Sequence, residues 1–186
     1  MATIGLKYPV VAVYDDANGT PAYKNGMVMA KAMKVDLKWN KNDAELYADD
    51  ALDEADTSIT GGTETLGIND LAYEVQALIL GHKFNQETKE LTVNENDVAP
   101  HVGHGFYGKV KRSGVEKFRA VWLYKMMFSE PDESLETRGE KTAFGTPSLE
   151  GKIMKGCDGN IKIEAIVDTE AEAVAWLNKR AGITAE

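Results

Sequence analysis

Apolar and polar residues alternate along much of the chain, and this pattern predicts a protein built mainly from β-strands. The longest example is Met27–Trp39, in which mostly apolar side chains at odd-numbered positions alternate with a more polar set at even-numbered positions. A period of two residues is that of a strand, because successive side chains point to opposite faces. At about 3.3 Å per residue this strand would span about 43 Å, well beyond the usual strand length. We expect it to reach beyond the core of one molecule.

A turn and a return strand are predicted directly after Met27–Trp39. Asn40-Lys41-Asn42-Asp43 is rich in turn-forming residues, so Ala44–Ala48 is expected to run back antiparallel to the long strand. The other predicted strands are bounded by turn signals: Pro9–Tyr14, Ser58–Ile68, Gly105–Lys111, Phe118–Phe128, Phe144–Met154 and Ile161–Val167. Asp15–Gly19 and Cys157–Asn160 lack the ligand pattern of a calcium loop, and we interpret both as turns between strands.

Phe118–Phe128 carries apolar side chains on both of its predicted faces, which places it at the centre of a sheet. Strict alternation assigns to one face Phe118, Trp122, Tyr124, Met126 and Phe128. It assigns to the opposite face Val121, Leu123 and Met127.

Two helices are predicted among the strands. The first covers Leu71–Ile79, whose apolar residues recur at helical spacing, with Asp70 as its N-cap and Gly81 as its left-handed end. The second begins at a capping box formed by Thr169–Glu172 and ends at Gly182. We expect both helices to dock on the β-structure.

Two long polar connections, His82–Val98 and Glu130–Lys141, separate these elements. Compact domains seldom keep such loops without a function. We expect both to be mobile in an isolated molecule and to become ordered against another subunit.

Composition and charge indicate a globular protein that does not bind polyanions. The 186 residues suit one domain, and 30 acidic against 21 basic residues give a formal net charge of −9. This surplus disfavours attraction to nucleic-acid phosphates or anionic lipid. Cys157 is the single cysteine, so no intrachain disulfide is expected and a reducing compartment fits. Without a signal-peptide pattern or a long apolar run, we expect synthesis in the cytoplasm.

The sequence offers no clear catalytic or metal-binding motif. His101 and His104 form H-x-x-H, with Glu95 and Asp97 nearby, but residues three apart on an extended chain point to opposite faces. We interpret these histidines and His82 as surface or loop residues. No nucleophile elbow, phosphate-binding loop or dinucleotide fingerprint is present. We therefore predict no catalytic residue, no metal and no cofactor.

The densest charge lies in AELYADDALDEAD, from Ala44 to Asp56, which has six carboxylates and no basic residue. Paired acids are able to serve acid and base catalysis, because proximity drives their pKa values apart. Only one aromatic residue, Tyr47, lies beside them, and the sequence suggests no pocket. We therefore favour a solvated or intersubunit segment with ionised carboxylates.

Several long phrases together resemble one protein family. ELYADDALDEAD is followed by TLGINDLAYEVQALILGH, then by KFRAVWLYKMMFSEPDESLETRGEKTAFGTPSLEGKIM, then by DTEAEAVAWLNKRAG. In this order they resemble the major tail tube proteins of long-tailed, siphovirus-type bacteriophages and of prophages of Gram-positive bacteria. The resemblance covers most of the chain.

The resemblance implies a single tail-tube domain over residues 1–186. Its fold would be mostly β with flanking α-helices (α+β), as a β-sandwich or partly closed barrel related in architecture to the type VI secretion tube protein. Its function would be structural rather than enzymatic: subunits form hexameric rings that stack into a hollow tail tube of the virion, through which the genome passes. No cofactor, metal or catalytic residue belongs to this pattern.

The resemblance carries over to regions of the chain. The long strand and its hairpin would help to line the channel, and the candidate intersubunit or wall residues are Glu45, Tyr47, Asp49, Asp50, Asp53, Glu54 and Asp56. The second polar loop would bridge rings, with candidate residues Glu130, Asp132, Glu133, Glu136, Arg138 and Glu140. Implied partners are further copies of the chain and the tape-measure, tail-terminator and distal-tail or baseplate proteins. DNA would pass without tight binding, and no membrane would be contacted.

An acidic channel wall would suit that passage. Basic contacts would release counterions and hold the DNA, whereas acidic groups repel it within about 8 Å, one Debye length. Two alternatives remain open. One is the inner tube of a contractile particle or injector, and the other is a soluble β-rich enzyme or carbohydrate-binding module that uses the acids with Trp39, Trp122 and Trp176.

Overall fold

The computed structural model describes residues 3–42, 44–48, 51–56, 58–112, 114–131 and 148–183. The described strands are β1 (Thr3–Asp15), β2 (Ala22–Val28), β3 (Ala32–Lys41), β4 (Ala44–Ala48), β5 (Ala51–Asp56), β6 (Ile59–Ile68), β7 (Lys83–Asn85), β8 (Glu90–Thr92), β9 (Val102–Arg112), β10 (Val115–Phe128), β11 (Ser148–Met154) and β12 (Lys162–Val167). The described helices are α1 (Tyr73–Leu80) and α2 (Glu170–Ala181). The prediction of a mostly β protein with two helices is confirmed.

Eight of the described strands form one antiparallel sheet, in the order β2-β1-β9-β10-β11-β6-β3, with β12 also paired to β10. β10 lies at the centre, as predicted. One of its edges pairs with β9, and the other is shared by β12, opposite Phe118–Leu123, and β11, opposite Lys125–Phe128. In the described part of the chain the sheet does not close into a barrel, because no ladder joins β2 to β3.

The sheet has an apolar core on each of its faces. Alternate residues of β1 show the division, because Val11 packs into one cluster while Val10 and Ala12 pack into the other. The first cluster, here called the α1 core, includes residues of α1 together with residues of β1, β6 and β10. The second, the α2 core, includes three residues of α2. Since strands from distant positions in the sheet meet in the α1 core, the sheet curls around it.

The faces of β10 differ from those that strict alternation predicts. Trp122 belongs to the α2 core and Leu123 to the α1 core, but Met126 and Phe128 join Leu123 rather than Trp122. The register of β10 against β9 shifts between Leu123 and Met126, which marks a β-bulge. One extra residue in a strand reverses the facing of every side chain beyond it. The bulge therefore explains why the predicted facing of Met126 and Phe128 is wrong.

Met27–Trp39 is not one long strand, so that prediction is wrong. β2 ends at Val28 and β3 begins at Ala32. Between them the N–H of Met29 donates to the carbonyl of Pro9, in β1, at 2.8 Å. The N–H of Lys31 donates to the side chain of Asn69, just after β6, at 3.0 Å. The chain thus changes partners within three residues, and it joins strands at opposite ends of the sheet order. Alternation continues on both sides of this link, so the pattern alone gives no sign of it.

Ala44–Ala48 does not run back along β3, which corrects a second prediction. These residues form β4 and pair with the next segment, β5, so the reversal lies between β4 and β5. The ladder of β3 with β6 leads directly into that of β4 with β5: Lys41 is opposite Ile59, the Asn42 N–H donates to the Ser58 carbonyl at 2.8 Å, and Ala44 is opposite Asp56. We call the paired strands from β3 to β6 the arm.

The second helix follows its sequence signals closely. The hydroxyl of Thr169 accepts from the N–H of Glu172 at 3.3 Å, and the carboxylate of Glu172 accepts from the N–H of Thr169 at 3.2 Å. Lys179 and Arg180 occupy its last turn, where cations interact favourably with the helix dipole. Gly182 ends the helix in the left-handed region, at φ 69°. The prediction of a capping box and a glycine stop is confirmed.

The start of the first helix is predicted wrongly. The side chain of Asp70 accepts from the N–H of Leu71 at 2.8 Å, and the helix begins only at Tyr73, after Ala72. Asp70 thus precedes the N-cap position by two residues and caps no helical N–H group. The predicted end at Gly81 is confirmed, with φ 80°. Neither of the two described helices has the length and apolar character needed to cross a lipid bilayer.

The two polar connections differ in how much of each the structure describes. His82–Val98 contains its own short hairpin, in which β7 pairs with β8. That this connection is mobile alone and becomes ordered against another subunit stays a prediction. Of Glu130–Lys141, only the first two residues lie within the described part of the chain. Asp15–Gly19 and Cys157–Asn160 are turns, as predicted, and the first joins the paired strands β1 and β2.

We predict that Gly105→Ala destabilises the protein by about 1–3 kcal/mol, the usual range for overpacking. A Cβ atom at Gly105 would lie 2.5 Å from Trp122 and 2.7 Å from Leu177, between the sheet and α2. The measurement is the free energy of unfolding in urea. The matched control is Gly67→Ala, where the nearest atom would be 3.6 Å away, on Lys34. Equal losses in the two variants would contradict the close packing of α2 on β9.

Candidate functional site

The acidic segment predicted as an intersubunit or wall site forms the outer part of the arm. Glu45 and Tyr47 lie in β4, and Asp53, Glu54 and Asp56 lie in β5. Leu46 is opposite Glu54 and Ala44 is opposite Asp56, so the backbone brings both strands of the segment together. Asp49 and Asp50, which separate the two strands in sequence, lie outside the described residues.

The predicted inter-ring residues fall mostly beyond what the structure describes. Asp132, Glu133, Glu136, Arg138 and Glu140 lie outside the described residues. Glu130 is described, and its side chain is 57% exposed. Its carboxylate also contacts the protein, because it lies 2.9 Å from Nε2 of His82.

His82 is not a surface histidine, which corrects the interpretation from sequence. Its side chain is 4% exposed and lies between two carboxylates, with Nδ1 3.0 Å from Asp97 and Nε2 2.9 Å from Glu130. Desolvation lowers the pKa of His82, but the hydrogen bonds to Asp97 and Glu130 outweigh it and raise the pKa above its ordinary value. The partners lie 15 and 48 residues away in sequence, so no local pattern indicates this cluster.

Asp97 is held in place from a second side. Its carboxylate accepts from the N–H of Asn94 at 2.9 Å. That hydrogen bond, followed by the one from His82, holds the pKa of Asp97 below its ordinary value. The cluster of His82, Asp97 and Glu130 is therefore anchored at the loop that follows β8.

His104 and Glu64 form a second buried pair, which also corrects the interpretation of the histidines. Both side chains are fully buried, with Nδ1 of His104 3.1 Å from the carboxylate of Glu64. The ring of His104 lies against Phe106 and Phe128, whereas His101 is exposed, so the two histidines of H-x-x-H do not converge. Nε2 of His104 and Oε1 of Glu64 have no hydrogen-bond partner among the described residues.

The sequence does contain a signal for the buried pair: each member occupies an otherwise apolar face of a strand. The spacing of the histidines does not give this signal. Glu64 occupies the same face of β6 as the buried Leu66 and Ile68, and His104 shares a face of β9 with Val102 and Phe106. A charged or titratable residue at a buried position of an alternating strand is unusual, because burial without a partner costs free energy. Two such positions indicate a buried polar pair, and the curled sheet brings them together although β10 and β11 separate β9 from β6 in the strand order.

The edges of the sheet leave an open slot between β1 and β3. β2 covers one edge of β1 only from Val10 onward, so the earlier part of that edge is unpaired in the described part of the chain. β3 pairs only with β6 there, so its other edge is unpaired as well. A cavity of about 420 Å³ opens there, lined by Leu6, Met33, Val35, Leu37, Phe106 and Arg119 among others. A second cavity of about 440 Å³ shares Leu6 and extends to Lys7, Val28 and Lys31. We call both cavities together the edge slot.

The edge slot is mainly apolar, and two of the cations at its rim, Lys7 and Arg119, are paired with Glu170 and Glu164. Met33 is 60% exposed and Val28 is 43% exposed, although both are large apolar residues. The charged residues that line the two cavities are Lys7, Lys31 and Arg119, and no described carboxylate lines either cavity. Exposed apolar surface beside unpaired strand edges is typical of a surface that another chain covers.

Catalytic or ligand-binding use of the aromatic residues finds little support in their positions. Trp122 is buried in the α2 core, and Trp176 packs against that core from outside. Trp39 packs instead against the α1 core and lies under the ammonium group of Lys162, at 5.1 Å. The described residues contain no group of three or more His, Cys, Asp or Glu side chains placed to hold a metal ion.

Comparison with known proteins gives no assignment. No protein-family model matches the chain, and no curated protein matches it in a sequence search.

We predict that Glu64→Ala lowers the free energy of unfolding by about 1–3 kcal/mol, because it leaves a polar atom of the buried His104 ring without its hydrogen-bond partner. The measurement is unfolding in urea near neutral pH. The control is Glu150→Ala on β11, which removes an exposed carboxylate and should change stability by less than about 0.5 kcal/mol. A small effect of Glu64→Ala would show that the pair does not contribute to the folded state.

Proposed function

We propose that this protein is the structural subunit of a phage tail tube, in which copies form stacked hexameric rings around a channel for DNA. The proposal rests on the resemblance of the sequence to major tail tube proteins and on one structural observation. That observation is the open sheet, with unpaired edges on β1 and β3 beside an apolar slot. In this proposal the subunit is a virion component and not an enzyme.

Unpaired strand edges supply the physical reason for assembly. Edge N–H and C=O groups are ready templates for a strand from another chain, and soluble proteins usually cover or disrupt them. β3 offers such an edge over ten residues, and its register against β6 is unbroken from Lys34 to Asn40. Pairing with a neighbouring copy would satisfy these groups and bury Met33 and Val28. Repetition of one contact around a closed rotation gives a ring.

The arm supplies reach between copies. The outgoing strands from Ala32 to Ala48 would extend up to about 55 Å at strand spacing. Their inner part packs Val35 and Leu37 against the α1 core, whereas the outer part, β4 with β5, forms a separate two-stranded sheet. A two-stranded hairpin is seldom stable alone in water, so contact with another subunit would stabilise it.

The distribution of charge supports a channel wall near the arm. Residues 42–82 contain ten of the 30 acidic residues and none of the 21 basic ones, so the rest of the chain is nearly neutral. Seven of the ten lie within residues 43–56, whereas Glu64 is buried against His104. In a ring, copies of residues 43–56 would bring together a large negative charge. Such a wall would repel DNA and favour its passage without tight binding.

The finer fold in this proposal is a partly closed barrel related to the tube protein of type VI secretion. The curled sheet around the α1 core, open between β1 and β3, is compatible with that architecture. A strand from a neighbour would complete the sheet in the assembled ring.

Negative-stain electron microscopy of the purified full chain tests the proposal directly. We expect rings or hollow filaments with six-fold symmetry in end views, alone or after addition of the other tail proteins. A small, closed oligomer that never forms rings under either condition would overturn the tube proposal.

We predict that Met33→Asp abolishes filaments or raises the concentration needed to form them by about tenfold or more. It places a charge in the edge slot, where Met33 is 60% exposed, so the fold of a single subunit should tolerate it. The measurements are filament yield after ultracentrifugation and unfolding in urea. The control, Val115→Asp, changes a residue of similar exposure, 58%, that lines neither cavity of the edge slot. Normal filaments from Met33→Asp would exclude the slot as an assembly contact.

Replacing Asp49, Asp50 and Asp53 by Ala should alter filament yield or stability, because these carboxylates belong to the acidic segment Ala44–Asp56. The measurement is filament length and yield by electron microscopy across a range of salt concentrations. A matched control replaces Asp158, Glu87 and Glu90, which are acids outside the arm. If the arm variant and the control both match the unmodified protein, the acidic segment has no role in contacts.

A further inference from the structure

The cluster of His82, Asp97 and Glu130 joins three parts of the chain that are otherwise separate. His82 follows Gly81 at the end of α1, Asp97 lies in the segment after β8, and Glu130 comes two residues after the end of β10. We propose that His82 is a proton-operated latch, which ties the β7–β8 segment to the end of β10 when its imidazole carries both protons.

The geometry requires two donors on one ring. Nδ1 of His82 lies 3.0 Å from a carboxylate oxygen of Asp97, and Nε2 lies 2.9 Å from one of Glu130. A neutral imidazole has one N–H donor, and its other nitrogen is an acceptor, as are both oxygens of an ionised carboxylate. Loss of one proton therefore converts one of the two contacts into a repulsion between lone pairs. While both carboxylates are ionised, both contacts persist together only in the imidazolium form.

The charges around the latch favour the same arrangement. Among the described residues, the charged groups that contact the ring are Asp97 and Glu130, and Lys83 lies close enough to Asp97 to help lower the pKa of that carboxyl. Asp97 is fixed by the N–H of Asn94, so its carboxylate cannot turn away without breaking that bond. Glu130 is 57% exposed and lacks a second partner of this kind in the described structure, so it is the contact that opens first.

The sign of the pH dependence follows from the direction of the pKa shift. The pKa of His82 is raised in the folded protein above its ordinary value of 6.5. The contribution of the latch is therefore complete below about pH 6.5 and is lost as pH rises through the folded pKa. Opening would release the carboxylate of Glu130 from the ring of His82.

The latch is independent of the tube proposal, because all of its groups belong to one molecule. Hydrogen exchange measured by mass spectrometry on the full chain, corrected for intrinsic rates, tests it between pH 5.5 and 9. We expect protection of peptides covering 83–98 to fall by about tenfold across the folded pKa of His82, as a charge-assisted hydrogen bond is lost. Peptides of β9 and β10 should keep their protection.

Three variants separate the latch from general destabilisation. His82→Gln should give low protection of 83–98 at every pH, with the pH dependence removed. Glu130→Gln, at an exposed position, should keep the fold and move the transition to lower pH, because one charged partner of His82 is gone. His101→Gln, which changes an exposed histidine, should leave the profile unchanged. A flat profile in the unmodified protein, or an unchanged transition in Glu130→Gln, would overturn the latch, whether or not the protein forms tubes.

Discussion

The structure depends on one constraint: every backbone N–H and C=O group of a strand requires a partner. Within the main sheet β10 meets this requirement on both edges, and it also separates the two apolar cores. At the margins the requirement is unmet, because β1 and β3 approach each other without forming a ladder. Open edges are tolerated in a soluble protein only when they are protected or later covered. The proposed assembly is a way in which copies of the same chain cover them.

Polar groups inside the curled sheet restrict how it can pack. Glu64 and His104 lie on facing strands of the α1 core and leave one polar atom each without a described partner. Such a pair contributes little net stability relative to an apolar pair, but it penalises any packing that separates its members. His82 acts differently, because its carboxylates lie at the surface of the core and remain within reach of solvent. One histidine thus constrains the interior, whereas the other connects the ends of two elements.

Local signals in the sequence predicted local structure well. The capping box of α2, the glycine at the end of each helix and the central position of β10 were all evident from residue type and spacing. The break at Met29–Lys31 was not, because it depends on hydrogen bonds to Pro9 and Asn69, which are remote in sequence. The bulge in β10 was not evident either, because one extra residue leaves no mark in the types of residue that make up the strand. The cluster around His82 has no periodic signature at all, and of the candidate inter-ring residues the structure describes only Glu130.

The short link between β2 and β3 also bears on the width of the gap beside it. From Val28 to Ala32 the chain makes four Cα–Cα steps, which reach about 14 Å when fully extended. Parts of β1 and β3 already lie within 8 Å of each other by Cα distance, whereas one inserted strand would hold their edges about 10 Å apart. A guest strand that pairs with both edges would therefore have to spread them, and the link between β2 and β3 is long enough to permit that movement. The sheet is thus narrower at this gap than a sheet that has accepted a guest strand.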